Sequence, residues 1–273
     1  MSRVDPFGRT DQLDEETLAV LAERFEARGR HPLFTTMLAE YLDAMDIDRA
    51  GSVLDMGCGT GVAGRAIARR EAFTGHVTGV DLSAYLAAVA DRLAHEEGLA
   101  RRTTFGSGDT SDLAVADGTF DAVVAHTLLS HAGDPAAMVR EAARVVRPGG
   151  MLAIFDGDYA SLTFDHADPE RAKVHDEVLI SAVVTNPRIM RQMPRLLRAA
   201  GLELVAAFPH VLAEVGEADF WASAIEVYRQ LLTESDAMTG DEAAAWAADL
   251  RRDSETGVFF GSSNYYAYVA RRP

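Results

Sequence analysis

One segment constrains this chain more than any other: Asp55-Met56-Gly57-Cys58-Gly59-Thr60-Gly61. It follows a short apolar run, Ser52 to Met56, and opens a stretch from Val62 to Arg70 with helical patterning. Glycines at a strand-to-helix turn tolerate positive φ and let a ligand approach the backbone closely. The helix start adds unpaired amides. A turn of this kind belongs to an open α/β sheet, and the chain continues in that manner. His76 to Asp81, Thr103 to Ser107, Phe120 to Ala125 and Met151 to Phe155 read as further strands. Ser83 is placed to cap a helix running to about Glu97, and the stretch from Pro135 to Val146 puts Met138, Ala142, Val145 and Val146 on one face. Strands alternating with helices of this length predict a parallel sheet with helices on both faces.

The flanks differ. Residues 13–46 read as two helices separated at Arg28-Gly29-Arg30-His31-Pro32. Residues 168–200 read as mainly helical, stopping at Gly201. Leu202 to Phe208 is a strand, 217–253 two helices with a buried stripe of Trp221, Ile225, Tyr228 and Leu232, and Val258 to Val269 a last strand region. Of 21 aromatic residues, 13 lie after residue 150, which fits either added core or an apolar pocket under a helical lid. We read 1–273 as one domain: a helical cap over 1–50, a cofactor-binding core over 51–160, and a substrate-side half with helical insertions over 161–273.

Composition narrows the function. The formal net charge of −16 argues against nucleic acid or an acidic membrane surface as a partner. Cys58 is the only cysteine, so neither an internal disulfide nor a zinc site of several thiolates is expected. It reads as a packing residue, with no histidine partner to make it a nucleophile. With no apolar leader in Met1 to Pro6 and no run of about 18 apolar residues, a cytoplasmic enzyme is the expectation.

Two ligands suit the glycine turn. A dinucleotide would rest its pyrophosphate on the amides, and Gly59-Thr60-Gly61-Val62-Ala63-Gly64 satisfies the G-x-G-x-x-G spacing. S-adenosylmethionine would lay its methionyl part and ribose along the same turn. Asp81 stands at the right distance to hold a ribose in either case. The context separates them. Asp55 stands two residues before the first glycine, Asp81-Leu82-Ser83 follows the second strand, Gly108-Asp109 the third, Phe120-Asp121-Ala122-Val123-Val124 begins the fourth, and Arg147-Pro148-Gly149-Gly150 precedes the fifth. In these five ordered signals, over roughly residues 50–156, the sequence resembles the class I S-adenosylmethionine-dependent methyltransferases, particularly their UbiE/COQ5-like branch.

The resemblance implies a Rossmann-like, mostly parallel sheet of about seven strands, with N-terminal and C-terminal helical lid segments. It implies that Gly57, Gly59 and Gly61 form the cofactor turn, that Asp55 orients the methionyl ammonium, and that Asp81 accepts from the ribose hydroxyls. Leu82 would pack on adenine, Asp109 would accept from its amine with Thr110 alongside, and His126 would lie near the methyl group. Product S-adenosylhomocysteine would leave the same site.

Methyl transfer is an in-line displacement on a reactive sulfonium, so positioning supplies much of the catalysis and a base is needed only for a protonated acceptor. His126 and His131, at the carboxyl edge of the sheet, are the candidate bases. Arg30, beside His31 between the two N-terminal helices, is a candidate for the methionyl carboxylate. His210 ends a strand and is placed to enter the pocket. Asp156, Asp158, Tyr159, His166 and Asp168 lack a tight ligand spacing, so no metal is expected. The reading is methylation of O, N or C on a small metabolite of secondary metabolism. The alternative is a tailoring cyclase or pericyclase that binds the cofactor on the same fold without net transfer. The sequence leaves the oligomeric state open, a homodimer included.

Overall fold

The computed structural model describes residues 5–235 and 237–273. Its frame is one seven-stranded sheet in the order β3-β2-β1-β4-β5-β7-β6. The strands are β1 (Ser52–Met56), β2 (His76–Asp81), β3 (Thr103–Ser107), β4 (Phe120–His126), β5 (Val146–Phe164), β6 (Glu203–Gly216) and β7 (Phe259–Arg271). β1 to β5 run parallel, and β7 lies antiparallel between β5 and β6. The chain lays β1, β2 and β3 outward in one direction and then crosses to β4 on the other side of β1. The crevice beyond the carboxyl ends of β1 and β4 is therefore the switch point at which open α/β sheets bind ligands.

Nine α-helices are described: α1 (Glu15–Arg30), α2 (Pro32–Ala44), α3 (Val62–Ala68), α4 (Ala84–Glu96), α5 (Pro135–Val145), α6 (Pro169–Val183), α7 (Ile189–Ala199), α8 (Phe220–Glu234) and α9 (Gly240–Glu255). The central strands are apolar on both faces, as parallel strands covered on both sides must be. Leu54, Val123, Leu152 and Ile154 pack toward α5 and α7. Val53, Val124, Ala153 and Phe155 pack toward α2, α3, α6, α8 and α9. The helix starts are chemically marked. Ser83 accepts the Leu86 amide, Asp134 the Ala137 amide, and Thr239 and Glu242 close a capping box.

The expected fold class is the observed one, with sharper edges. α1 continues through Arg28 and Gly29 to Arg30, where a break was expected, and a Cβ at Gly29 would meet Val62 at 2.6 Å, so the glycine lets α1 and α3 approach closely. β5 runs on past Phe155 to Phe164, paired with the long β7. A 3-10 turn at Pro6–Gln12, which hydrophobic spacing did not mark, lies ahead of α1. No described helix is long and apolar enough to cross a membrane.

Candidate cofactor and substrate cleft

A cleft of about 1360 Å³ of empty space, counting its open mouth, lies over the switch point. Its floor is the glycine turn. Gly57, Gly59 and Gly61 have φ of 68°, 51° and 77°, the left-handed region that side chains disfavour. A Cβ at Gly57 would also lie 2.5 Å from Leu128. Four of the turn amides are already spent. Those of Gly57 and Cys58 donate to the Val80 carbonyl (2.8 and 3.1 Å), that of Gly59 to Asp81 Oδ2 (2.7 Å) and that of Gly61 to the Cys58 carbonyl (2.7 Å). Asp55 Oδ2 accepts the Gly64 amide at 2.8 Å in the first turn of α3, and Glu26 accepts the Thr60 hydroxyl at 2.6 Å. Three carboxylates thus surround the helix start. Burial raises the Asp55 carboxyl to about 7, the Gly64 amide offsetting only part of it. Burial raises Asp81 as well, against hydrogen bonds from the Ser83 and Gly59 amides and the Thr10 hydroxyl.

Leu82, Asp109 and Thr110 line the far end of the cleft. Leu82 is exposed, and Asp109 is held by the Ser111 amide (2.8 Å) and hydroxyl (2.7 Å), which keep its carboxyl below the usual range.

The two candidate histidines separate. His126, at the end of β4, shares its Nδ1 with the hydroxyl of fully buried Tyr41 at 2.9 Å, and its ring stacks on Phe155. Burial, helped by Arg28, drives its pKa down to about 3. The ring is therefore neutral and a weak proton acceptor, which corrects its assignment as a base. His131 differs. Its Nδ1 lies 2.9 Å from Asp5 Oδ2, which also takes the Thr185 amide and hydroxyl. A carboxylate only accepts, so Nδ1 carries a proton, and in the neutral ring Nε2 keeps its lone pair. The ring is held between Phe7 and Tyr159 at centroid distances of 4.8 and 6.1 Å.

Arg30 is misplaced by the sequence reading. Its side chain is 72% exposed, lies 3.8 Å from Glu26, and borders a separate surface hollow. The arginines that line the cleft are Arg24 and Arg28 on α1. Arg28 donates to the Thr127 hydroxyl at 2.7 Å and lies over the rings of Phe25 and Phe34. Thr127 is a β-branched residue at φ 56°, held by its amide on the Phe155 carbonyl at 2.6 Å.

The remaining polar candidates have structural partners. Asp156 accepts the Ser130 and Gly157 amides, Asp158 is bidentate with Arg191, and His166 faces Asp249 at 3.4 Å. His210 lies 2.9 Å from Glu40 and does not line the cleft, which corrects its placement. His31, Glu214 and Asp219 converge elsewhere, but Glu214 is taken up by the amides of Asp219, Phe220 and Trp221.

Residues 54–154, which carry the turn, Asp81, Asp109 and both histidines, match the family model described as methyltransferase domain. This segment is similar to methyltransferase domains. The chain is 34% identical over 173 residues to the 27-O-demethylrifamycin SV methyltransferase of Amycolatopsis mediterranei, covering 62% of this chain and 60% of that protein. It is 30% identical over 162 residues to sterol 24-C-methyltransferase erg6 of Aspergillus fumigatus, covering 59% and 42%. The chain spans about half the length of the curated relatives it matches, between 32% and 60%. Among solved structures, the 4+2 cyclase SpnF superposes with a TM-score of 0.64 at 22% identity, covering 100% of this chain and 99% of that one. Geranyl diphosphate methyltransferase in complex with SAM gives 0.55 at 20%, covering 100% and 97%. These structures establish the shared class I methyltransferase fold.

Several cleft residues outside the matched segment escaped the sequence reading. Phe7 and Thr10 reach the site from the 3-10 turn and Asp5 from just before it, while Tyr228 and Tyr265 come from α8 and β7. The spacing of Arg24 and Arg28, one helical turn apart with Phe25 between, was the available signal. It was masked by taking Arg28 as the start of a break.

Proposed function

We propose that the protein transfers a methyl group from S-adenosylmethionine to a small-molecule acceptor. One observation carries this: four amides of the glycine turn are consumed within the protein, and the carboxylates of Asp55, Asp81 and Glu26 crowd the helix start on which a dinucleotide would rest its pyrophosphate. Such a floor repels a dianion and suits a ligand bearing an ammonium and a sulfonium. The residues fit that cofactor along its whole length. Asp81 uses one lone pair of each oxygen on backbone amides and keeps others for the two ribose hydroxyls. Leu82, Asp109 and Thr110 receive the adenine, Asp55 the ammonium, and Arg28, in place of Arg30, the methionyl carboxylate.

When bound, the cofactor supplies a methyl group on a sulfonium that leaves as a neutral thioether. The chain's own residues orient and deprotonate the acceptor. His131 Nε2 takes the acceptor proton, and Asp5 fixes the ring's tautomer and stabilises the imidazolium that results. His126 stays neutral and gives the methionyl end an uncharged wall. A placement in the UbiE/COQ5-like branch rests on the sequence motifs, whereas the relatives named above carry rifamycin and sterol names. Both support a small-molecule acceptor.

Calorimetry tests the reading. S-adenosylhomocysteine is expected to bind in the micromolar range or tighter. Asp81→Ala is expected to weaken it by about 2 kcal/mol, because a charged acceptor for two hydroxyls is lost. Binding of NADH in its place refutes the assignment. With an acceptor in hand, product formed without S-adenosylhomocysteine from a labelled donor identifies the cyclase chemistry instead.

A further inference from the structure

Two guanidinium groups line the cleft, and neither Arg24 nor Arg28 has a carboxylate partner among the described residues. The methionyl carboxylate accounts for one of them in the reading above. Arg24 is left over. It donates to the Ser223 hydroxyl at 2.6 Å and lies 4.6 Å over the Phe220 ring, which ties α1 to α8. One hydroxyl oxygen answers one of a guanidinium's five N–H donors, and an aromatic face offsets only part of what a cation loses on leaving water. Burial indeed lowers the Arg24 pKa, with Tyr228, Tyr265 and Tyr159 the groups that oppose the effect.

Those three tyrosines line the same cleft. Each is at least 91% buried, and no hydrogen-bond partner for their hydroxyls is found among the described residues. Three O–H donors and a guanidinium therefore face a space whose other walls include Phe7, Val183 and Val184. Asp156, the acid whose charge acts on Tyr159 and Tyr265, is already held by the Ser130 amide and hydroxyl and by the Gly157 amide. A donor-rich, cationic point in an apolar chamber, inside a chain of net charge −16, is built to receive an anion.

We infer that the acceptor is an apolar molecule bearing an acidic oxygen group, a carboxylate in the simplest case, seated on Arg24 among the hydroxyls of Tyr159, Tyr228 and Tyr265. This rests on the methyl-transfer reading and names the substrate class of the same cleft. A neutral sterol-like or hydrocarbon acceptor would leave Arg24 without a counter-charge.

The test uses the protein loaded with S-adenosylhomocysteine and three matched pairs of probes: benzoate and benzamide, 2-naphthoate and 2-naphthamide, decanoate and decanamide. Binding is read by calorimetry or saturation-transfer NMR. At least one acid should bind about tenfold more tightly than its amide. Arg24→Gln should erase that preference while holding the affinity for S-adenosylhomocysteine within about twofold. Tyr228→Phe, which keeps the ring, should lower the preference about threefold. The inference is overturned if no acid outbinds its amide, a total absence of binding included, or if the preference survives Arg24→Gln unchanged. Should S-adenosylhomocysteine itself fail to bind the wild-type protein, the cofactor reading falls. The acid–amide comparison on the unloaded protein then still decides the inference.

Discussion

Asp55 shows how one side chain can serve the fold and the ligand together. Its carboxyl ties the end of β1 to α3 through the Gly64 amide, yet burial raises its pKa to about 7. The unloaded protein therefore retains a proton that the unfolded chain sheds above pH of about 4. The stability due to this group is complete below that pH and is lost as pH rises through 7. An ammonium placed beside it reverses the balance, since an opposite charge favours the ionised form. Binding of S-adenosylhomocysteine near pH 6.5 should thus release a proton, visible as a dependence of the calorimetric enthalpy on buffer ionisation heat. Affinity should climb between about pH 5.5 and 7.5. Asp55→Asn should abolish the proton release. Release persisting in that variant assigns the linkage to another group and leaves Asp55 a helix-start acceptor only.

At the scale of elements, the 3-10 turn Pro6–Gln12 is the piece whose function exceeds its size. Asp5 just before it orients His131, Phe7 packs on His131 and Phe25, and Thr10 donates to Asp81. The segment adds little to the main cores, where Phe7 is only a peripheral member. The next element, α1, keeps its own cap in Asp14, which accepts the Thr17 amide at 2.8 Å. Removal of residues 1–12 should therefore leave a folded protein with a cooperative melt lowered by a few degrees. Its affinity for S-adenosylhomocysteine should drop roughly tenfold, through loss of the cover over Asp81. Loss of the cooperative melt would show instead that the turn belongs to the core.

Across the whole molecule, 42 acidic residues face 26 basic ones. Salt acts on two opposed quantities here. Ion pairs such as Arg70 with Asp48 at 2.6 Å are close contacts, far shorter than the screening length of about 10 Å at 0.1 M. Repulsion among the excess acids acts over longer distances and is screened first, so the repulsion dominates the response. The melting temperature should rise by a few degrees between about 10 mM and 300 mM sodium chloride at pH 7.5. A fall would mean that the surface pairs matter more than the net charge.

The sequence by itself determined the parallel half of the sheet, the glycine turn and the Asp55 carboxylate beside it. Those features are local: apolar runs of strand length, positive-φ glycines and acids at fixed offsets are written within a few residues of one another. It also contained the buried stripe of α8, with Trp221, Ile225, Tyr228 and Leu232 inside. Tertiary structure alone decided which cations reach the cleft and how its two histidines are held. Arg28 rather than Arg30 enters it because a helix turns about 100° per residue and α1 docks one face against the site. His126 became a neutral wall and His131 a paired imidazole because Tyr41 and Asp5, some 85 and 126 residues away in the chain, came to lie beside them. Contacts of that span depend on how the helices pack on the sheet, and short-range patterning carries no record of them.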